Sequence, residues 1–188
     1  MLNKPLTILG IAGSLRKASY NRAALRAAQQ LAPERASIEI VDLAGIPPFN
    51  QDEERNPPHE VTQLKTRVRA ADAILFVTPE YNYSIPGVLK NAIDWGSRPY
   101  GESCWDGKPV AVMGASMAVL GTSRAQYHLR QVFVYLNMHA MNLPEMMIGA
   151  AHDKFDAAGN LTDKATRQHI QKFLEALINW TERVHKGN

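Results

Sequence analysis

Cysteine is almost absent from this chain of 188 residues. The single residue, Cys104, cannot form an internal disulfide, and it excludes metal or iron–sulfur sites that need several cysteines. Long apolar runs are missing too, because none approaches the roughly 18 residues that a membrane-spanning helix needs. The chain enters a strand-like segment directly after residues 1–5, so we expect no leader. We therefore expect a cytoplasmic protein without membrane insertion.

Charge of one sign is also scarce. The formal net charge is +3, and the 21 basic and 18 acidic residues are mixed along the sequence. Because there is no basic stripe and no acidic tail, the composition argues against nucleic acid and favours a small-molecule partner. Hydrophobic residues make up 45% of the chain, which is enough for one sizeable core. We predict one domain over residues 1–188.

Short aliphatic runs alternate with helical patterns along the chain. The runs predicted as buried strands are 6–12, 38–43, 73–78, 110–115 and 145–148. Helical patterns lie at 20–31, after Pro57-Pro58, at 88–95, around 129–136 and around 170–178. This alternation predicts an α/β protein with a parallel sheet and helices on both faces. Ligands bind such sheets beyond the carboxyl ends of the strands, so we expect a site in the loops after strands one, three and four.

The loop after the first strand contains the components of a phosphate site. Its sequence is Gly13-Ser14-Leu15-Arg16-Lys17-Ala18-Ser19-Tyr20-Asn21. The start of a helix favours an anion, Ser14, Ser19 and Asn21 can donate hydrogen bonds, and a guanidinium is available from Arg16. Taken alone, the loop allows another interpretation: Ser19 only caps the helix, and the two cations are solvated.

Other phosphate motifs fail on spacing. A Walker loop needs Gly-Lys before Ser or Thr, whereas Gly107-Lys108 precedes Pro109. A dinucleotide fingerprint needs the pattern GxGxxG, and the first strand and its loop offer only Gly10 and Gly13, at the wrong separation. A small phosphatase of similar fold would need a cysteine opening this loop, and Cys104 lies far away.

The loop after the third strand carries a more specific pattern. It reads Thr78-Pro79-Glu80-Tyr81-Asn82-Tyr83-Ser84-Ile85-Pro86-Gly87 and continues into a helix. Together with the first loop, it closely resembles the NADPH-dependent FMN reductase family, which includes bacterial quinone, azo and chromate reductases. The similarity covers about residues 6–150. It implies a flavodoxin-like, five-stranded parallel sheet in the order 2-1-3-4-5, with FMN as cofactor and NADPH or NADH as co-substrate.

The resemblance also implies which residues bind FMN. These are Ser14, Leu15, Arg16, Ser19 and Asn21 in the first loop, Pro79, Glu80, Tyr81, Asn82 and Tyr83 in the second, and Ser116 after the fourth strand. We expect Tyr81 and Tyr83 to flank the isoalloxazine ring, and Glu80 to act through its backbone more than its charge. We also expect Ser84 to cap the next helix, with Pro86 in its first turn. Two alternatives to these ligand contacts remain. Tyr81 and Tyr83 can be ordinary half-buried loop aromatics, and Ser116 can lie in a plain tight turn.

The implied activity is hydride transfer from NAD(P)H through FMN to quinones, azo compounds, nitroaromatics, chromate or free flavin. Because the flavin carries the chemistry, we predict no catalytic side-chain acid or base and no metal. A flavodoxin-type electron carrier and a scaffold without flavin remain as alternatives. The resemblance further implies a homodimer or homotetramer, and the aromatic residues Trp95, Tyr100 and Trp105 are interpreted as a hint of a subunit interface. No role is predicted for His128 or His139.

Overall fold

The computed structural model of this protein describes residues 5–187, which form a parallel sheet covered by helices. Its strands are β1 (Leu6–Ala12), β2 (Ala36–Val41), β3 (Ala73–Val77), β4 (Pro109–Ala115), β5 (His139–Ala140) and β6 (Met146–Ile148). All paired strands run parallel, in the order β2-β1-β3-β4-β5, with β6 also paired to β4. The predicted flavodoxin-like order is therefore confirmed.

The fifth position of the sheet is divided between two short strands. β5 pairs with the start of β4 at Pro109 and Val110, and β6 pairs with its end, from Met113 to Ala115. Only the second piece corresponds to the predicted strand at 145–148. The ladder cannot run through Pro144, which lies between the pieces, because proline has no backbone N–H to donate.

Helices cover both faces of the sheet, as predicted. They are α1 (Tyr20–Gln30), α2 (His59–Ala70), α3 (Gly87–Gly96), α4 (Ser123–Tyr135) and α5 (Lys164–Gly187). Neighbouring residues of β1 point to opposite faces, so that Ile8 packs with α1 and α5 while Leu9 packs with α2, α3 and α4. The five α-helices thus form two layers around one sheet.

Two of the three aromatic residues at the end of α3 and after it belong to the core rather than to an exposed surface. Trp95 and Trp105 are fully buried; the indole Nε1 of Trp105 donates to the Ile93 carbonyl at 2.9 Å, and its ring lies against Phe76. Gly96 permits this approach, because a Cβ there would lie 2.4 Å from the Trp105 Nε1. The interpretation of both tryptophans as interface residues is therefore wrong, and only Tyr100 is exposed.

Candidate functional site

The loops after β1, β3 and β4 meet at one edge of the sheet. The Gly13 amide donates to the Val77 carbonyl at 2.9 Å, and the Thr78 amide donates to the Met113 carbonyl at 2.9 Å. Each bond joins the end of one strand to the next strand in the sheet. The three predicted loop segments consequently start side by side beyond the carboxyl ends of the strands, and the space that they border is the candidate cleft.

The first loop forms a concave set of donors at the start of α1. The Ser19 Oγ caps the helix by accepting from the amides of Asn21 and Arg22 at 3.2 and 3.4 Å. Within residues 5–187, the amides of Leu15, Lys17 and Ala18 find no acceptor. Free amides at a helix N-terminus suit a phosphate group, so this loop fits the phosphate of FMN.

The side chains of this loop are held close to its backbone. Ser14 is buried, and its Oγ accepts from the Arg16 amide at 3.3 Å. The Arg16 guanidinium folds back over the loop and donates to the Ala18 carbonyl at 2.6 Å. A cation therefore lies beside the free amides, where it can neutralise a bound anion.

Asn21 has a different position from the one predicted for a phosphate donor. Its side chain is buried and clamps the end of β4, donating through Nδ2 to the Ala115 carbonyl at 2.9 Å and accepting through Oδ1 from the Ala115 amide at 2.8 Å. The predicted donation to phosphate is therefore corrected. Asn21 joins the phosphate loop to the loop after β4 and fixes their relative position.

The second loop is a tight hairpin. Tyr81 and Ser84 exchange two backbone hydrogen bonds, at 3.1 and 2.9 Å, while Asn82 and Tyr83 between them have φ angles of 51° and 65°. Positive φ at both central residues is typical of a type I′ turn, but it is unusual for tyrosine. The Tyr81 and Tyr83 side chains are exposed at the mouth of the cleft. Their contact with the flavin ring stays a prediction.

Ser84 does not cap the following helix. Helix α3 begins at Gly87 with Pro86 as its N-cap and without a side-chain cap, whereas the Ser84 Oγ lies 3.0 Å from the Nδ1 of His128. The predicted cap is wrong because the hairpin holds Ser84 opposite Tyr81, three residues before the helix. His128, for which no role was predicted, thus borders the hairpin.

Glu80 uses its carboxylate to hold the start of α4, and the predicted contribution of its backbone to flavin binding stays a prediction. The side chain is nearly buried; its Oε2 accepts from the amides of Arg124 and Ala125 at 3.0 and 3.2 Å, and its Oε1 accepts from the Arg124 Nε at 2.5 Å. The carboxylate therefore caps α4 from another loop. Sequence reasoning did not identify Arg124, although a cation at the start of a helix is unfavourable without a nearby anion.

The loop after β4 combines a tight turn with exposed apolar side chains. The Ser116 Oγ accepts from the Ala118 amide at 3.1 Å, and its own amide donates to the Ile148 carbonyl at 2.9 Å. Met117, Val119 and Leu120 are 63%, 89% and 56% exposed. Sequence reasoning missed this apolar rim, although four consecutive apolar residues in a loop are themselves unusual.

The described part of the chain contains neither a cluster of metal ligands nor a membrane-spanning helix. Among residues 5–187, no three His, Cys, Asp or Glu side chains are placed to hold a metal ion. In the same part of the chain, no helix is long and apolar enough to cross a membrane.

Cys104 is expected to be inert in the folded protein. Burial raises the pKa of its thiol from 9.0 to about 12, so the reactive thiolate is not formed at neutral pH. Replacing Cys104 by serine should leave turnover nearly unchanged. Because the folded state retains this proton longer than the unfolded state, the thiol supports stability below about pH 9 and loses that contribution as the pH rises towards 12. Urea unfolding should therefore show an alkaline loss of stability that is smaller in Cys104→Ser. A large loss of turnover with FMN retained would contradict the inert role.

Comparison with known proteins gives a consistent result. The family model for NADPH-dependent FMN reductases matches residues 6–153. The chain is 51% identical to an NAD(P)H-dependent FMN reductase of Pseudomonas aeruginosa, covering 97% of this chain and 99% of that protein. It is 44% identical to a 2-hydroxy-1,4-benzoquinone reductase of a Burkholderia species, covering 93% and 96%.

Solved structures are similar as well. The flavoenzyme NAD(P)H:(acceptor) oxidoreductase FerB of Paracoccus denitrificans superimposes with a TM-score of 0.88 at 38% identity, over 95% of this chain and 98% of FerB. An FMN-dependent NADH-azoreductase of Bacillus anthracis, solved with FMN, has a TM-score of 0.57 at 14% identity, over 95% and 99% of the two chains. At that identity the second likeness concerns the fold alone.

Proposed function

The chain belongs to the NADPH-dependent FMN reductase family, and we propose that it uses NADPH or NADH to reduce quinones through bound FMN. The observation that carries this proposal is the meeting of a phosphate-binding loop and an aromatic hairpin in one cleft, in a chain whose relatives include quinone reductases. When bound, FMN accepts hydride from the nicotinamide and returns the reducing equivalents to the acceptor. The protein binds the phosphate, orients the ring and exposes one face to substrates.

We propose that the residues predicted to bind FMN divide into two groups. Ser14, Leu15, Arg16 and Ser19 surround the phosphate, and the segment 79–83 and Ser116 border the ring. Glu80 is engaged by Arg124 and by the first amides of α4, so its carboxylate is not free to shuttle a proton. This engagement supports a reaction that needs no obligatory side-chain acid or base.

The rim of the cleft favours flat, apolar acceptors. Tyr81 and Tyr83 stand on one side of it, and Met117, Val119 and Leu120 lie in the loop after β4. Quinones bury more of this apolar surface than small charged oxidants such as chromate. Quinones are therefore the proposed principal acceptors, with azo compounds, nitroaromatics and free flavin as further candidates.

Visible spectroscopy tests the proposed function directly. The purified protein is loaded with FMN, mixed anaerobically with NADPH or NADH, and then given a benzoquinone. We expect the flavin absorbance to bleach after the nicotinamide and to return after the quinone. Bound flavin that neither nicotinamide reduces would instead identify an electron carrier, and a protein that binds no flavin would refute the proposed cleft.

Replacing Arg16 by alanine should weaken FMN binding through the phosphate alone. A hydrogen bond to a charged group contributes about 1.5–3 kcal/mol, so the FMN dissociation constant should rise roughly tenfold or more. Riboflavin lacks the phosphate and serves as the matched ligand, because its affinity should be the same for both proteins. Flavin fluorescence titration measures both constants. Equal FMN constants for Arg16→Ala and the wild type would contradict the phosphate-site assignment.

We further propose that the protein forms a homodimer, or a homotetramer built from such dimers. A groove of about 590 Å³ lies between α3 and α4, and α4 presents Tyr127, Val134 and Tyr135 with exposed fractions of 52%, 82% and 72%. A surface of this kind is typical of subunit contacts. The groove begins at Ser84 in the hairpin, so a second copy seated there would lie close to the cleft.

A charge in this face should dissociate the oligomer. Val134→Glu is expected to give monomers in light-scattering chromatography, because the carboxylate would have to be buried in the contact. Gln171→Glu, at an exposed position of helix α5, introduces the same charge elsewhere and should leave the mass unchanged. A wild-type protein that elutes as a monomer would refute the proposed interface.

The remaining organisation follows from the same observations. We propose that residues 1–188 form one domain, because one sheet supports both core layers. We also propose a cytoplasmic location, which suits a chain whose single cysteine is buried as a free thiol.

A further inference from the structure

Arg124 lies between Glu80 and Tyr83 at the mouth of the cleft and contacts both, so that the three residues form a chain of contacts. On one side its guanidinium forms a bidentate pair with the nearly buried Glu80 carboxylate, through Nε and Nη2, both at 2.5 Å from Oε1. On the other side the guanidinium carbon lies 3.6 Å from the centre of the Tyr83 ring. Glu80 and Tyr83 belong to the β3 loop and Arg124 to α4, so the contacts join two elements of the site.

Glu80 is the fixed end of this chain of contacts. Thr122, the N-cap of α4, provides no side-chain cap, and the first amides of the helix donate to Glu80 instead. A carboxylate at this position is also favoured by the helix dipole. Arg124 is thereby held in one orientation, because its guanidinium is aligned by a carboxylate that two backbone amides fix in place.

At the other end of this chain of contacts, Tyr83 is held only weakly by its backbone conformation and by packing. Its φ of 65° places a bulky residue in the left-handed region, where the backbone alone disfavours it. The residue is 66% exposed, so packing does little to hold it. The cation–π contact with Arg124 supplies an attraction that depends on the ring being in this place.

We propose that Arg124, anchored by Glu80, is a positioning residue that holds the Tyr83 ring at the mouth of the cleft and so sets the affinity for the nicotinamide co-substrate and the aromatic acceptor. This inference rests on the proposed function for its substrates. Its physical content, the coupling of Arg124 to the hairpin, concerns residues of this chain alone.

The kinetic test compares Arg124→Gln with Arg183→Gln. Arg183 also lies over an aromatic ring, that of Trp180 at 5.5 Å, but on α5 at the other face of the sheet. In the FMN-loaded enzyme, Arg124→Gln should raise the KM for NAD(P)H and for a benzoquinone about three- to tenfold, with kcat changed less than about twofold. Arg124→Lys, which keeps the charge but not the planar group, should have KM values between those of the wild type and Arg124→Gln. Arg183→Gln should match the wild type.

A double-mutant cycle with Tyr83→Ala separates positioning from a general loss of structure. If Arg124 acts through Tyr83, the KM of the double variant should equal that of Tyr83→Ala alone. Multiplicative effects on KM would overturn the proposal. So would a parallel rise in the FMN dissociation constant and fall in Tm, because these would show that Arg124 only stabilises the loops.

Hydrogen exchange provides a measurement that needs no turnover. In the FMN-loaded protein, the amides of Tyr81 and Ser84, which close the hairpin, should exchange about tenfold faster in Arg124→Gln than in Arg183→Gln, while amides within β3 should be unchanged. Equal exchange at the hairpin would overturn the coupling even if the enzyme proved inactive. Failure of flavin reduction in the wild type, by contrast, would refute only the proposed function.

Discussion

Replacing Asn21 by alanine is expected to weaken FMN binding and to destabilise the protein at the same time. The substitution leaves the buried amide and carbonyl of Ala115 without their side-chain partners. Each buried group left unpaired costs about 1–3 kcal/mol, so the free energy of unfolding should fall by about 2–6 kcal/mol. The phosphate loop and the loop after β4 also lose their connection, and the FMN dissociation constant should rise roughly tenfold.

Asn91→Ala is the matched control. Asn91 forms the same kind of clamp, donating to the Pro47 carbonyl at 2.8 Å and accepting from the Phe49 amide at 2.7 Å, but it holds the loop after β2. Both variants should unfold at lower urea concentrations than the wild type. At low urea concentrations, where both variants are folded, only Asn21→Ala should bind FMN poorly. Normal FMN affinity in folded Asn21→Ala would show that the clamp does not organise the cleft.

Gly114→Ala is expected to have an effect of similar size by overpacking. A Cβ at this position would lie 2.0 Å from the Thr122 Oγ1 and 2.3 Å from the Thr78 carbonyl oxygen. Both neighbours are fully buried, and the second contact is with backbone, so relief requires β3 and β4 to separate. Overpacking of this kind costs about 1–3 kcal/mol, and the moved strand ends should weaken FMN binding by roughly tenfold.

Gly87→Ala provides the control for this substitution. Gly87 begins α3, and a Cβ there would meet nothing within 4 Å. Alanine favours helix over glycine, so this variant should be at least as stable as the wild type. Thermal unfolding and flavin titration of the two variants check the prediction, which would be wrong if Gly114→Ala retained wild-type Tm and FMN affinity.

The elements of the fold were predictable because their patterns are local. β1 has the predicted limits, Leu6–Ala12, and Ser19 caps α1 as its position ahead of an alanine-rich helix indicates. In α5, the helical pattern predicted around residues 170–178 puts Ile170, Leu174, Leu177 and Ile178 on one face, and all four are fully buried. Each of these features depends on spacing along one segment, which the sequence displays directly.

The errors arose where a side chain bonds to a distant segment. Asn21 reaches Ala115, Glu80 reaches the start of α4, and the Trp105 ring fits over Gly96. A polar residue near a strand end can contact a ligand or brace a neighbouring loop, and residue type alone does not distinguish these roles. Position in three dimensions does, and it assigns the Asn21 side chain and the Glu80 carboxylate to the bracing of the cleft.

The division of the fifth strand has a consequence for how these molecules behave when crowded together. A long, regular outer strand offers free amides and carbonyls to which other chains can add, which is a common start of aggregation. Here the outer strand is cut into pieces of two and three residues, and the His139 carbonyl accepts from the Trp180 Nε1 of α5 at 2.7 Å. This border of the sheet is thus too short and too well covered to recruit a further strand, and self-association by strand addition is disfavoured on this side of the molecule.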